Sequence, residues 1–185
     1  MGIIAVIIIF ICICVDNMVS ANMSAVNMSK ENKSVFSIKM ALFFTGFNVL
    51  LFGLGYLISL IFFSHLVYFA HNWVAFAFML LLGIKLMLES IEKSPSFTDV
   101  DAAHTSKLVK VSFLIGLNSF LVGYALHTMG RSFFPDVVWL LILTFVLTLL
   151  GTHLGGTQTK NLISKKLELV AGIILIIMSI WLIII

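Results

Sequence analysis

The chain has 185 residues, 61% of them hydrophobic and only 10% charged, with a formal net charge of +3. A soluble domain of this size lacks the interior to hold that much apolar surface, so the soluble classes are excluded. The small positive balance makes no case for a nucleic-acid partner, because the lysines fall in loops rather than in one patch.

Apolar stretches of about 20 residues recur along the chain, the length a helix needs to cross a hydrocarbon core about 30 Å thick. They predict an all-α, polytopic membrane protein with six transmembrane helices in a lipid bilayer. The first helix, 3–29, carries Asp16 between Ile11-Cys12-Ile13-Cys14-Val15 and Asn17-Met18-Val19-Ser20. No other acidic residue lies as deep in an apolar run. A carboxylate at the bilayer centre costs about 2.5–3.5 kcal/mol on insertion scales, so it predicts a bound cation, a proton or a basic partner. Cys12 and Cys14 are two apart on one helix and point to different faces, which argues against a disulfide between them. A cleaved leader is the competing reading, since 20–25 offers small residues. The lack of a basic n-region after Met1-Gly2, and the break at Asp16, count against it.

Lys30-Glu31-Asn32-Lys33 is expected to end the first helix, and the second runs 36–63. A turn at 65–71 leads to the third helix, 72–90, where Lys85 and Glu89 form an i,i+4 pair near the membrane surface. The longest loop, 91–106, holds Pro95, Asp99, Asp101 and His104, and reads as a solvated linker. The fourth helix, 107–127, has Asn118 at mid-depth. A turn at 130–135 precedes the fifth helix, 136–155, and the sixth occupies 164–185. His127 and His153 fall near helix ends as ordinary polar residues.

Basic residues predict the orientation. Lys30, Lys33 and Lys39 flank the first loop, Lys93, Lys107 and Lys110 the third, and Lys160, Lys165 and Lys166 the fifth. The second and fourth loops carry only Arg131. The odd loops are then cytoplasmic and both termini outside. Trp73, Trp139 and Trp181 fall near outer helix ends, as an interfacial belt would place them.

The chain repeats itself in three places. Leu82-Gly83-Ile84, with Leu86, Leu88 and Ser90, matches Ala171-Gly172-Ile173, with Leu175, Ile177 and Ser179. Residues 13–22 align with 115–124, setting Asp16 against Asn118. Asn48, Gly55 and Ser59 align with Thr144, Gly151 and Gly155. The matches keep their order, one per helix. They predict one membrane domain of two three-helix repeats, 3–90 and 107–185, joined by the linker 91–106. An odd number of helices per repeat inverts the second, an arrangement that puts a binding site near the midplane between the halves.

Asp16, Ser20, Met23 and Asn27 follow at spacings of four, three and four, lining one helix face. Asn118 on the fourth helix, Asn48 on the second and Thr144 on the fifth lie at similar depth. A carboxylate with amide and hydroxyl oxygens is a hard donor set, suited to Mg²⁺, Mn²⁺ or Ca²⁺. The hydroxyls of Ser20, Ser119 and Thr144 would serve equally as hydrogen bonds between helices. The methionines would serve as packing. No phosphate loop, nucleophilic triad or zinc-type pair occurs, and nothing argues for an enzyme or a resident cofactor.

Nearly the whole chain resembles the manganese efflux pump (MntP) family, small six-helix exporters related to LysE-type transporters. The resemblance is carried by Val15-Asp16-Asn17-Met18-Val19-Ser20, by His71-Asn72-Trp73-Val74-Ala75-Phe76 with Leu82-Gly83-Ile84-Lys85-Leu86-Met87, by Thr144-Phe145 with Leu149-Leu150-Gly151, and by 168–175. Three positions, on two helices, depart from the family pattern. Asn118 stands where the family has a second membrane Asp. In the second helix Asn48 stands for Gln, and Phe52 for a Pro. Losing one carboxylate is expected to weaken dication binding.

The resemblance implies a secondary transporter of the inner membrane that exports a divalent cation, Mn²⁺ first. Asp16 would supply the charge, and Asn118, Asn48, Ser20 and Thr144 the remaining oxygens. Exchange of the ion for a proton at Asp16 is a possible coupling. The rival readings are an exporter of a monovalent cation or cationic amino acid, and a non-transporting membrane subunit.

Overall fold

The structure, a computed structural model, describes residues 2–25, 30–63, 70–91, 105–154 and 158–184. Among these residues there are six α-helices and no strand: α1 Ile3–Ala25, α2 Lys30–Phe63, α3 Ala70–Ile91, α4 Thr105–Thr128, α5 Phe133–Leu154 and α6 Gln158–Ile184. The expected all-α architecture is present. Five helices carry spans long and apolar enough to cross a membrane, among them Ile3–Ala25 and Ser34–Ile61. The 23 residues of α1 rise about 34 Å, more than a bilayer core. Asn27, Asp99, Asp101, His104 and Gly155 lie outside the described residues.

Several boundaries differ from the sequence reading. Residues 30–33, expected as a break, open α2. Lys, Glu and Asn carry no backbone veto on helix, so polarity alone does not end one. Similarly α6 begins at Gln158 rather than at 164. The turn before α5 lies where expected but is shorter, because α5 opens at Phe133 rather than at 136. Gly130 adopts φ +70, its N–H reaches the carbonyl of His127, and the N–H of Arg131 reaches that of Leu126. This is a Schellman ending, which favours glycine because it has no Cβ. Pro135 falls in the first turn of α5, where its missing N–H costs nothing.

The main helix pairs are α2 with α4, α3 with α6, α1 with α5, α2 with α5, α1 with α6 and α3 with α4. Each principal contact therefore joins the first three helices to the last three. The set maps onto itself when α1, α2 and α3 are exchanged for α4, α5 and α6. Glycines make these approaches possible. A Cβ at Gly83 would lie 2.9 Å from the Gly172 carbonyl oxygen, and one at Gly172 2.8 Å from that of Gly83. Gly55 backs onto the carbonyl of Phe120, and Gly151 onto that of Met18. Phe120 and Met18 are aligned in the internal repeat, as are Gly55 and Gly151. The contacts also set directions: α1 runs with α5 and α2 with α4, while α3 and α6 run oppositely. Hence α1, α3 and α5 finish at one end of the bundle, where α2, α4 and α6 begin; this is the lysine-rich end.

Candidate metal-transport site

Asp16 is buried in the middle of α1, 4% exposed. Its Oδ2 accepts a hydrogen bond from Asn118 Nδ2 at 2.7 Å. The two residues occupy aligned positions, so the equivalent points of the two halves touch. Asn118 Oδ1 in turn accepts from Lys85 Nζ at 2.9 Å. An amide can donate to a carboxylate from its nitrogen while its oxygen accepts from an ammonium, as Asn118 does here.

Lys85 corrects one expectation. Its ammonium does pair with Glu89, at 3.3 Å, but it also lies 3.8 Å from Asp16 Oδ2. Its four-carbon stem carries the charge from α3 into the gap between α1 and α4, farther than helix spacing alone suggests. The Lys85 side chain remains 39% exposed and that of Glu89 30%.

Two further carboxylates complete the cluster. One oxygen each from Asp16, Glu89 and Glu168 lie within 4.8 Å of one another. Glu168 projects from α6 and is only 5% exposed. Together with the Asn118 amide these are hard oxygen donors from α1, α3, α4 and α6, the chemistry that holds divalent cations such as Mn²⁺, Mg²⁺ and Ca²⁺. Sequence reasoning assigned Glu89 to Lys85 alone and noted Glu168 only within the sixth-helix motif. The signal for Glu168 was its place between Leu167 and Leu169, as the last charged residue of the helix.

The other expected residues take different partners. Asn48 Nδ2 donates to the Phe44 carbonyl at 2.7 Å and to Asn17 Oδ1 at 3.4 Å, while its Oδ1 accepts from Ser119. Thr144 Oγ1 shares a hydrogen bond with Cys14 Sγ at 3.3 Å. Ser20 is buried one turn beyond Asp16, and its carbonyl accepts from Ser24. Of the four residues expected around Asp16, Asn118 is the one that hydrogen-bonds it. Asn48 and Thr144, aligned in the repeat, each bond a helix of the opposite half.

The site is asymmetric about the contact of α3 and α6. By the register that pairs Gly83 with Gly172, Lys85 corresponds to Ile174, Glu89 to Met178 and Glu168 to Met79. The three apolar counterparts lie toward the opposite end: Met79 belongs to the main hydrophobic core with Phe10, Ile13, Val122 and Leu126, and the half-buried Ile174 and Met178 pack against it. A column of rings continues that seal: Phe10 meets Phe52 at 5.9 Å, Phe52 meets Phe133 at 6.1 Å, and Tyr56 meets Phe133 at 5.0 Å. His127 is less ordinary than expected, since it stacks edge-on against Tyr56 at 4.4 Å and bonds Ser59. Above the rings, Arg131 Nη2 reaches the buried Asp136 Oδ1 at 2.8 Å. The charged groups therefore face the lysine-rich end, and packed rings close the other.

A model of the family described as "Putative manganese efflux pump" matches residues 31–183. The chain belongs to the manganese efflux pump family. Among curated relatives, a "Putative manganese efflux pump MntP" of Acetivibrio thermocellus is 31% identical over 135 residues, covering 72% of this chain and 67% of that protein. One of Crocosphaera subtropica is 26% identical, covering 81% and 77%. Another, "MntP 2" of Clostridium botulinum, is 24% identical over 97% of this chain and 93% of its own length. No solved structure matches the chain. In this member of the MntP family the matched span includes Lys85, Glu89, Asn118 and Glu168, and Asp16 precedes it.

Proposed function

We propose that this MntP-family protein is a secondary transporter that exports a divalent metal cation, Mn²⁺ first, from the cytoplasm across the inner membrane. The observation that carries the reading is the convergence of Asp16, Glu89 and Glu168 inside an apolar bundle. With all three carboxylates ionised, as a bound cation would favour, they exceed the one ammonium by two negative charges, the charge of one divalent cation. This chain lacks the family's second membrane Asp at Asn118, and Asp16, Glu89 and Glu168 are the acids it brings together. In this reading Asp16 and Glu168 anchor the ion, Asn118 contributes its amide oxygen, and Glu89 receives the ion at the lysine-rich, cytoplasmic end. Asn48, Ser20 and Thr144 keep the helices around the ion in register.

The halves act as inverted repeats, and both termini face outward. Rocking about the glycine contacts would open the ring-sealed end while closing the other, exposing the ion alternately. The test is intracellular metal content in a manganese-sensitive strain. Expression of the wild type lowers cell Mn²⁺, and Asp16→Asn does not. Equal Mn²⁺ content with both would end the reading. A panel of other metals and cationic amino acids separates the rival substrates. Flux that is indifferent to a pH gradient would remove the proton as the exchanged ion.

A further inference from the structure

The ammonium of Lys85 stands where a cation would have to stand to touch both Asp16 and Asn118. It donates to Asn118 Oδ1 at 2.9 Å and lies 3.8 Å from Asp16 Oδ2. A metal ion cannot take those two oxygens while the ammonium holds them. The same ammonium has a second anchor one helical turn along α3, Glu89 Oε1 at 3.3 Å, toward the lysine-rich end. Its side chain is 39% exposed, and the ammonium already lies within reach of both anchors. The register counterpart of Lys85 is Ile174, so one half alone carries such a cation.

We propose that Lys85 is a tethered stand-in for the transported ion: it occupies the Asp16–Asn118 position in the empty carrier and withdraws to Glu89 when a divalent cation binds. This rests on the transport reading above and adds a role in turnover. An empty carrier must close over its carboxylates inside an apolar bundle, where uncompensated charge is costly. The ammonium removes one of those charges during the return. It also repels an arriving dication, so it weakens binding and keeps release fast. Lys85 is a positioning residue on this account, acting on the charge of the site rather than by coordinating the metal.

The experiment uses the full chain in proteoliposomes with Mn²⁺ as probe, comparing net Mn²⁺ transport with exchange of labelled for unlabelled Mn²⁺. The wild type performs both. Lys85→Gln is expected to bind Mn²⁺ about tenfold more tightly and to keep exchange, because a loaded carrier still crosses. Net transport by that variant falls about tenfold or more, because the empty carrier returns slowly. Lys85→Arg, which keeps the charge, restores net transport. In the wild type, saturating Mn²⁺ should increase labelling of the Lys85 amine by a water-soluble acylating reagent, a readout independent of variant folding. Net transport at the wild-type rate in Lys85→Gln overturns the inference. So does loss of exchange along with net transport in both variants, or protection of the Lys85 amine by Mn²⁺. A wild type that moves no Mn²⁺ in either mode instead overturns the transport reading, and this inference with it.

Discussion

Replacing Gly55 or Gly151 by alanine tests the way the two halves interlock. A Cβ at Gly55 would lie 2.9 Å from the carbonyl carbon of Phe120, and one at Gly151 3.0 Å from that of Met18; the carbonyl oxygens are closer still. Ordinary Cβ contacts begin at 3.4 Å. Both obstacles are backbone, which has no rotamer to turn aside, and the oxygens set the limit, so the helix pair must separate by about 1 Å. Overpacking of this kind costs about 1–3 kcal/mol. The better helix propensity of alanine returns up to about 1 kcal/mol. A net loss of about 1–2 kcal/mol lowers Tm by roughly 2–8 °C in a chain of this size. The two variants should lose similar amounts, because Phe120 and Met18 are aligned positions. Gly53→Ala is the control, since its Cβ meets only the ring of Phe133, at an ordinary 3.8 Å. It should leave Tm unchanged or slightly raised. Thermal unfolding of the purified protein in detergent reads all three. If Gly55→Ala and Gly151→Ala are as stable as Gly53→Ala, the close-approach argument is wrong.

Two further variants probe the charge cluster. Glu168→Gln should reduce Mn²⁺ transport at least about tenfold in flux assays while leaving the fold intact, because removing a carboxylate lowers dication affinity directly; wild-type flux would remove Glu168 from the site. Asn118→Asp replaces an amide that bridges Asp16 and Lys85 by a second acid facing Asp16. It should destabilise the metal-free protein, strengthen Mn²⁺ binding, and so enlarge the rise in Tm that Mn²⁺ produces. A thermal shift no larger than the wild type's would mean that the carboxylates already present suffice.

Composition and periodicity by themselves determined the class and the number of helices, because the bilayer sets a length that apolar runs must match. They also singled out Asp16, since a carboxylate amid Ile, Cys and Val is conspicuous wherever the chain folds. The pairing of Asp16 with Asn118 was legible as a sequence repeat, although contact between the two was not. The rest of the cluster was decided by tertiary structure. Glu89 and Glu168 are 79 positions apart, and only the crossing of α3 and α6 at Gly83 and Gly172 draws both toward Asp16. Lys85 read as half of a local pair because helical spacing reports neighbours on one helix; where a long side chain reaches depends on which helices leave it a gap. Asn48 and Thr144 offered oxygen donors as Asn118 does, yet they bond Ser119 and Cys14 on facing helices. Residue type limits what a side chain can bind, and the packing of the other half determines what it meets.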